Sequence, residues 1–499
     1  MPNDKRPRKP SLRGGGKPGR KDRSDRASRP ARDGRPSAFS SARGERPSPV
    51  RRRATDPARE VVFRAIARQA KAWPDFDIEG LPEEAMAGLS ALDAAFAHAI
   101  YDAVIRRWLT LKHLLGTCLR VEYEKIEPRT LSALMCGAAQ CLFMDKVPAH
   151  AATNESVNWV KSVAGDRAGG MVNAVMRKLL SLAPEGGASR REAWSDKRDE
   201  LPMADGTAIT FREVVFPEDP MQRLAAATSC PVELLRTLSK SMPMREARKI
   251  ALHGLLHPPI VLNTAHAQAE LPAAVLPHNV PGHHVYTGTH EELRTILSSR
   301  KDIWVQDPGS SLAVSSVTDL SPSLIVDPCA GLGTKTRQLA ATFPNAKIIA
   351  TDVDLPRRQT LAGVFAGHDR VTVIDYERLL DWVGKADLVL LDVPCSNTGV
   401  LARRVEARYR YSAKRTAELV STQRQIIADS LRLLATGRNR GKILYSTCSL
   451  DPEENEEQAR WAVRWHSFAL SRESRRLPEG QPGEGPERYT DGSYAVLLA

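Results

Sequence analysis

The residues that could do chemistry together lie in the last third of the chain. They are the stretch Asp327-Pro-Cys-Ala-Gly-Leu-Gly-Thr-Lys335, the single acids Asp352 and Asp375, the tetrapeptide Asp392-Val-Pro-Cys395, and Thr447-Cys448. Gly331 and Gly333 permit a tight turn and a close approach of backbone N–H groups to a ligand. Cys329, Ala330, Gly331, Leu332, Gly333, Thr334 and Lys335 are therefore candidate cofactor contacts. The P-loop pattern is absent, and Lys335 and Thr336 are expected to open the following helix. Asp352 follows the glycines by about 20 residues, where a carboxylate accepts both hydroxyls of a ribose. Asp375 is expected within reach of an adenine edge. A glycine loop plus an acid also fits any nucleotide binder of this type, and a lone Asp at a strand end is as often a helix cap.

Cys395 and Cys448 each follow a short apolar run, so both are expected to face one crevice. Two buried structural cysteines fit the residue types as well. The chemical alternative is specific. Cytosine is unreactive at C5 until a nucleophile adds at C6, and a thiolate both adds and leaves well. Addition makes C5 enamine-like and able to take a methyl cation. Loss of the C5 proton then releases the thiolate. Asp392 is placed to stabilise charge developing at N3 of the base. Further Cys or His partners at ligand spacing are missing, as is His-Glu-x-x-His, so no metal is expected.

Those residues need a scaffold that brings them to one edge. Leu324–Val326, Lys347–Thr351, Val371–Ile374, Leu388–Leu391 and Ile443–Tyr445 are short runs rich in Val, Ile and Leu, mostly separated by helix-length segments. Fully apolar strands alternating with helices imply a parallel sheet covered on both faces. Ligands bind such sheets at the C-terminal ends of the strands, where all the residues above fall. The expected fold is α/β, a Rossmann-like domain over 301–499. Ahead of it, 56–182 reads as all-α. Leu92, Ala95, Phe96, Ala99, Ile100, Ala103 and Val104 have helical spacing, and Leu131, Leu134, Met135, Ala138, Leu142 and Phe143 repeat it between Pro128 and Pro148. Residues 183–216 are polar and glycine-containing, a linker or insertion, with no strand-like alternation before about residue 205. Residues 217–300 read as a small α/β subdomain.

The chain has 499 residues and a formal net charge of +13. Residues 1–55 hold 18 Lys/Arg and 5 Asp/Glu, so the whole excess lies there and the rest is neutral. That tail is rich in Arg, Pro, Gly and Ser and is expected to be disordered, serving as a non-specific nucleic-acid arm or as a solubilising extension. No apolar run approaches a membrane span. Seven cysteines argue against a disulfide scaffold, and no secretory signal is evident. A cytoplasmic monomer is expected. A local cluster, Arg403, Arg404, Arg408, Tyr409 and Arg410, suits phosphate contacts and base stacking on RNA, although a solvated helix face fits it too.

Two resemblances sharpen these expectations. Gly137–Gln140, Val147–His150, Asn154–Val157 and Val172–Arg177 resemble the NusB-like RNA-binding domain. The Asp327, Lys335-Thr336, Asp392–Gly399 and Tyr445–Ser449 motifs, with Glu454-Asn455, resemble the Sun/Fmu (RsmB-like) family of ribosomal RNA cytosine-5 methyltransferases, whose bacterial members carry the NusB-like domain in front. The resemblance implies S-adenosylmethionine as cofactor and small-subunit ribosomal RNA as partner. It implies Cys448 as nucleophile, Cys395 in product release, and Asn263 and Gln306-Asp307 as further family elements. The chain departs from the family's Ala-Pro-Gly-Gly before the lysine, having Gly331-Leu-Gly-Thr334. It also has Val405-Glu406 after the arginine pair, where the family has His/Asn-Pro. A ribosomal RNA-binding assembly factor that no longer holds cofactor is the alternative from another class; DNA cytosine methylation is a third.

Overall fold

A computed structural model describes residues 55–76, 80–183, 190–437 and 440–499. The expectation for the basic tail falls almost wholly outside them. Among the described residues, no helix is long and apolar enough to cross a membrane.

The described residues begin with seven α-helices: α1 (Pro57–Ala72), α2 (Glu83–Met86), α3 (Ala91–Arg106), α4 (Trp108–Cys118), α5 (Pro128–Phe143), α6 (Ala149–Ala164) and α7 (Asp166–Leu182). Their starts follow local chemistry. Asp56 accepts the Arg59 N–H ahead of Pro57, Ser90 accepts the Asp93 N–H, and Glu127 accepts the Thr130 N–H ahead of Pro128. α5 is the centre of the bundle and buries Leu131, Leu134, Met135, Ala138 and Leu142 as its spacing predicts, whereas Phe143 at its end is only partly buried. α3 forms as predicted, but only part of its stripe is inside. Ala97, Ile100 and Val104 are buried while Leu92 is 83% exposed. The helix is apolar on most sides, so periodicity alone does not single out its inner face.

The stretch expected as a linker or insertion carries a small antiparallel sheet. β1 (Arg190–Ala193), β2 (Glu200–Pro202) and β3 (Thr207–Thr210) pair in the order β1-β3-β2. Strands therefore begin before residue 205. Leu201, Met203, Ile209 and Phe211 join the hydrophobic core of the bundle. Four isolated apolar positions in a polar stretch leave little periodic signal, which is why the sequence does not reveal them.

Three helices, α8 (Pro220–Thr228), α9 (Val232–Ser241) and α10 (Met244–His253), lead to a four-stranded sheet. It contains β4 (Ile260–Asn263), β5 (Val275–Pro277), β6 (His283–Tyr286) and, after α11 (His290–Ser299), β7 (Trp304–Val305), in the order β5-β6-β4-β7. Then, after α12 (Pro308–Ser315), the large sheet begins. Its elements are β8 (Leu324–Asp327), α13 (Thr334–Thr342), β9 (Lys347–Ala350), α14 (Leu355–Val364), β10 (Val371–Val373), β11 (Leu388–Asp392), α15 (Ala407–Arg410), α16 (Ala413–Ser430), β12 (Lys442–Thr447), α17 (Glu456–His466), β13 (Leu470–Arg476) and β14 (Ser493–Leu498). The five apolar runs are all strands, parallel to one another, in the order β10-β9-β8-β11-β12. β14 and β13 close the sheet antiparallel. The fold is the expected pairing of a helical NusB-like region with a Rossmann-like α/β domain. Strand order reverses beside β8, and the crevice outside the ends of β8 and β11 is where ligands enter such sheets.

Candidate active site

β8 delivers Asp327 to the crevice, and the chain turns through Gly331 (φ +55) and Gly333 (φ +88) into α13. Gly333 has a second constraint: a Cβ there would lie 2.6 and 2.7 Å from Phe365 and Leu361. Asp352, at the tip of β9, accepts the N–H of Gly331 at 2.9 Å on one oxygen and that of Asp354 at 2.9 Å on the other. It pins the glycine turn to the neighbouring strand. Asp327 accepts the Thr336 hydroxyl at 2.7 Å, while its other oxygen is buried with no partner. Burial pushes this carboxyl up to about 7. Burial, together with Asp327, Asp392 and Asp352, also drives the Cys329 thiol far above its ordinary range, so it stays protonated. Asp375 stands at the start of the turn after β10, largely exposed, with Arg358 Nε 3.5 Å away. A buried acceptor without a donor, and open space in front of Gly331, suit a nucleoside cofactor that carries an ammonium group.

Asp392 ends β11 opposite Ser446 of β12. It accepts the Lys335 ammonium at 2.8 Å and the Ser446 hydroxyl at 2.9 Å. Burial disfavours the Lys335 charge, but Asp392 and the nearby Cys448 outweigh it and raise the lysine above its ordinary value.

Beyond these strand ends the two cysteines meet, with Sγ atoms 3.3 Å apart. The Cys448 thiol also donates to Asn397 Oδ1 at 3.1 Å. Asn397 adopts a left-handed backbone (φ 59) and donates from its amide to the Cys395 carbonyl at 2.9 Å. The hydrogen bond to Cys448, burial and the proximity of that sulfur hold the Cys395 pKa well above the ordinary thiol range. The two thiols open on different hollows. Cys448 lines a cleft of about 510 Å³ with Lys335, Ser446, Thr334 and Arg403. Cys395 faces a smaller one of about 170 Å³ with Glu406, Arg410 and Arg415.

The loops carrying the thiols are tied together behind them. Glu454 accepts the Ser396 N–H at 2.8 Å and its hydroxyl, the Ser449 hydroxyl at 2.5 Å and the Gln423 amide at 3.0 Å. Asn455 accepts the Thr447 hydroxyl at 2.5 Å and donates to Ser449 O at 2.9 Å. Gly399 donates to Cys448 O at 2.8 Å, and a Cβ at Gly399 would lie 2.7 Å from that oxygen. Only glycine allows the two loops to pass so closely.

The comparisons with known proteins agree with this layout. Residues 318–484 match the family model of the 16S rRNA methyltransferase RsmB/F, and residues 56–181 match the NusB family. The small-subunit ribosomal RNA methyltransferase B of Vibrio cholerae is 28% identical over 380 residues, covering 73% of this chain and 80% of that one. Its counterpart from Erwinia tasmaniensis is 27% identical over 433 residues, covering 81% and 90%. By these matches the chain is similar to the RsmB/F ribosomal RNA methyltransferases, with a NusB-family region ahead of the methyltransferase region. Its cofactor is accordingly S-adenosylmethionine, as the sequence implied. The crystal structure of PH0851 shares the fold, with a TM-score of 0.64 at 21% identity over 89% of this chain and 99% of that one.

Against the RsmB/F motifs, the structure gathers Cys395, Cys448, Asp392 and Lys335 at one crevice and sets the glycine turn and Asp352 beside it. The RNA cluster comes apart. Arg404 is exposed at the cleft and Arg410 borders the Cys395 hollow. Arg403 lines the cleft but is held by Asp491 at 2.5 Å and Asp307 at 3.1 Å. Arg408 and Tyr409 correct the sequence reading, since both are buried. Arg408 donates to the carbonyls of Gly254 at 2.7 Å, Leu401 at 2.9 Å and Thr228 at 3.4 Å. Tyr409 donates to Ile105 O at 2.7 Å and packs on Trp73 and Phe76. Amphipathic side chains with satisfied tips join elements as readily as they face water. Asn263 and Gln306 meet at 2.9 Å as a buried pair beneath the cleft.

Sequence reasoning gave Glu454 and Asn455 no role and missed Asp491. Glu454 follows Cys448 by six residues but binds across to Ser396, a relation no local spacing encodes. Burial and the neighbouring Asp307 raise Asp491 to about 7.

Proposed function

We propose that this enzyme methylates C5 of a cytosine in small-subunit ribosomal RNA through a covalent adduct between Cys448 and C6 of the base. The observation that carries the reading is the pair of thiols 3.3 Å apart, of which Cys448 opens on the cleft beside Lys335, itself held by Asp392. Bound S-adenosylmethionine supplies the methyl cation. Cys448 gives up its thiol proton to solvent and its thiolate adds to C6, and the electron pair displaced into the ring is stabilised at N3 by the Lys335 ammonium that Asp392 holds at the cleft. C5 takes the methyl group. When a base removes the C5 proton, its electrons restore the C5–C6 double bond and the C6–S bond breaks. Cys395, held protonated, donates a hydrogen bond to the departing Cys448 sulfur and eases release.

Cys329–Lys335, Asp352 and Asp375 are read as cofactor contacts, and Arg403, Arg404 and Arg410 as the cationic margin of the RNA site. Residues 56–182 are read as the NusB-like RNA-binding domain, 217–300 as a small preceding subdomain and 301–499 as the catalytic domain, in a cytoplasmic monomer. The test is methyl transfer to cytosine in ribosomal RNA. Cys448→Ala abolishes it, whereas Cys395→Ala accumulates an RNA–protein adduct that survives denaturing electrophoresis. Full activity in Cys448→Ala overturns the assignment of the nucleophile.

A further inference from the structure

The catalytic cleft has a neighbour that the mechanism does not use. β7 presents Val305 to the cleft and Trp304 to a second hollow of about 660 Å³ behind it. α13 is shared in the same way. Thr334 and Lys335 line the cleft, while Arg337 and Ala340 line the hollow. Two residues along a helix advance about 3 Å and turn roughly 200°, so Lys335 and Arg337 point to opposite flanks. The hollow therefore lies along the seam between the four-stranded sheet and the Rossmann-like sheet, and such seams are common ligand sites.

Its lining is cationic and flat-ringed. Arg337 is partly buried, its guanidinium pKa lowered by burial, and among the described residues no carboxylate or carbonyl pairs with it. Lys301 is exposed at the rim and also has no partner among them. Arg370 is fixed by the carbonyls of Ala340 at 2.9 Å, Phe343 at 3.0 Å and Ala346 at 3.3 Å, so its charge is held in place. His266 lies parallel to Trp304, with ring centroids 6.1 Å apart at 15°. His368 accepts the Arg370 and Val371 N–H groups on Nδ1, which leaves Nε2–H as a donor. Of the two carboxylates at the rim, Asp302 is bound by Arg300 through two 2.7 Å hydrogen bonds and by the Gln268 N–H at 2.7 Å. Asp369 is exposed.

A guanidinium that has lost part of its hydration without gaining a partner costs free energy that the fold does not recover internally. Two cations without a partner among the described residues, a third held rigidly, and the partly exposed imidazole of His266 backed by Trp304 match a nucleotide: phosphate oxygens for the cations and a base face for the imidazole. We infer that this hollow binds a phosphodiester of the RNA substrate outside the target nucleotide, a contact that fixes the strand while the cytosine occupies the cleft. The inference rests on the RNA reading above and gives it a second anchoring point.

The test uses the full chain in a Cys448→Ala background, so that binding is read without turnover. A single-stranded RNA oligonucleotide is titrated by fluorescence anisotropy across a range of salt, with and without the double substitution Arg337→Gln and Lys301→Gln. Loss of two phosphate contacts lowers the slope of log affinity against log salt by about 1.4 and weakens binding about tenfold, while S-adenosylmethionine affinity stays unchanged and the melting temperature does not fall. A parallel titration with adenosine monophosphate separates the two sources of phosphate. If the substitution abolishes mononucleotide binding but leaves the RNA slope intact, the hollow serves a free nucleotide and the inference is overturned. An unchanged RNA slope with no effect on the mononucleotide overturns it equally. If the unsubstituted chain binds no RNA at all, the RNA reading itself fails, so the two failures are distinguishable.

Discussion

At the scale of single residues, charge and burial conflict most sharply at Asp327. Its carboxyl is buried, holds one hydrogen bond to Thr336 and is raised to about 7 by burial. A carboxyl raised in the folded state contributes stability below its unfolded value, and that contribution is lost as pH climbs through the folded one. Unfolding free energy should therefore fall between about pH 4 and 7 because of this group. Asp327→Asn keeps an oxygen to accept from Thr336 and removes the ionisation. Relative to the parent chain, its denaturant-derived stability should gain most near pH 7 and least near pH 4. A difference between the two chains that does not change with pH would falsify the role given to burial here. The Cys395 thiol follows the same logic, since its surroundings again disfavour the ionised form. Cys395 keeps its proton because its hydrogen bond to Cys448 and the surrounding burial disfavour its thiolate.

At the scale of elements, the five apolar runs could be read directly, because a strand buried on both faces needs Val, Ile and Leu at successive positions. The residues that follow each run inherit their place from the sheet, which is why Asp352, Asp392, Cys395 and Cys448 were identifiable without a structure. Arg408 and Tyr409 were not, because an arginine–tyrosine pair reads the same whether its tips meet water or carbonyls. Here they join α15 to the end of α3, to α8 and to the loop after α10. Tyr409 shares Ser229 with that seam at 2.9 Å and packs near Trp108 through Phe76. Removing Arg408 leaves three buried carbonyls unpaired, each costing about 1–3 kcal/mol. Arg408→Ala should therefore lower unfolding stability by about 3 kcal/mol, measured by urea denaturation. Arg408→Lys should recover only part of it, since one ammonium lacks the planar fork. A loss below about 0.5 kcal/mol, the range of ordinary surface substitutions, would mean that the seam does not depend on this side chain.

At the scale of the whole molecule, charge and chemistry are segregated. The excess of +13 lies in residues 1–55, and the remaining chain has equal numbers of each sign. Target choice then has to come from local features of the neutral part: the Cys448 cleft, Arg404 at its edge, and the cationic hollow behind β7. The tail can add only attraction to phosphates, which is long-ranged, indifferent to sequence and screened by salt. Deleting residues 1–55 should weaken ribosomal RNA binding at low salt and flatten its salt dependence, with the difference from the full chain shrinking as salt rises. The methylated position, mapped by bisulfite sequencing, should stay the same. If the truncated chain methylated several cytosines or a different one, target choice would reside in the tail. The pattern of losses also tells the two cationic regions apart. Removing the tail leaves the contribution of Arg337 and Lys301 to the salt slope intact, while the double substitution in the truncated chain removes it, because contacts that share no partner contribute additively.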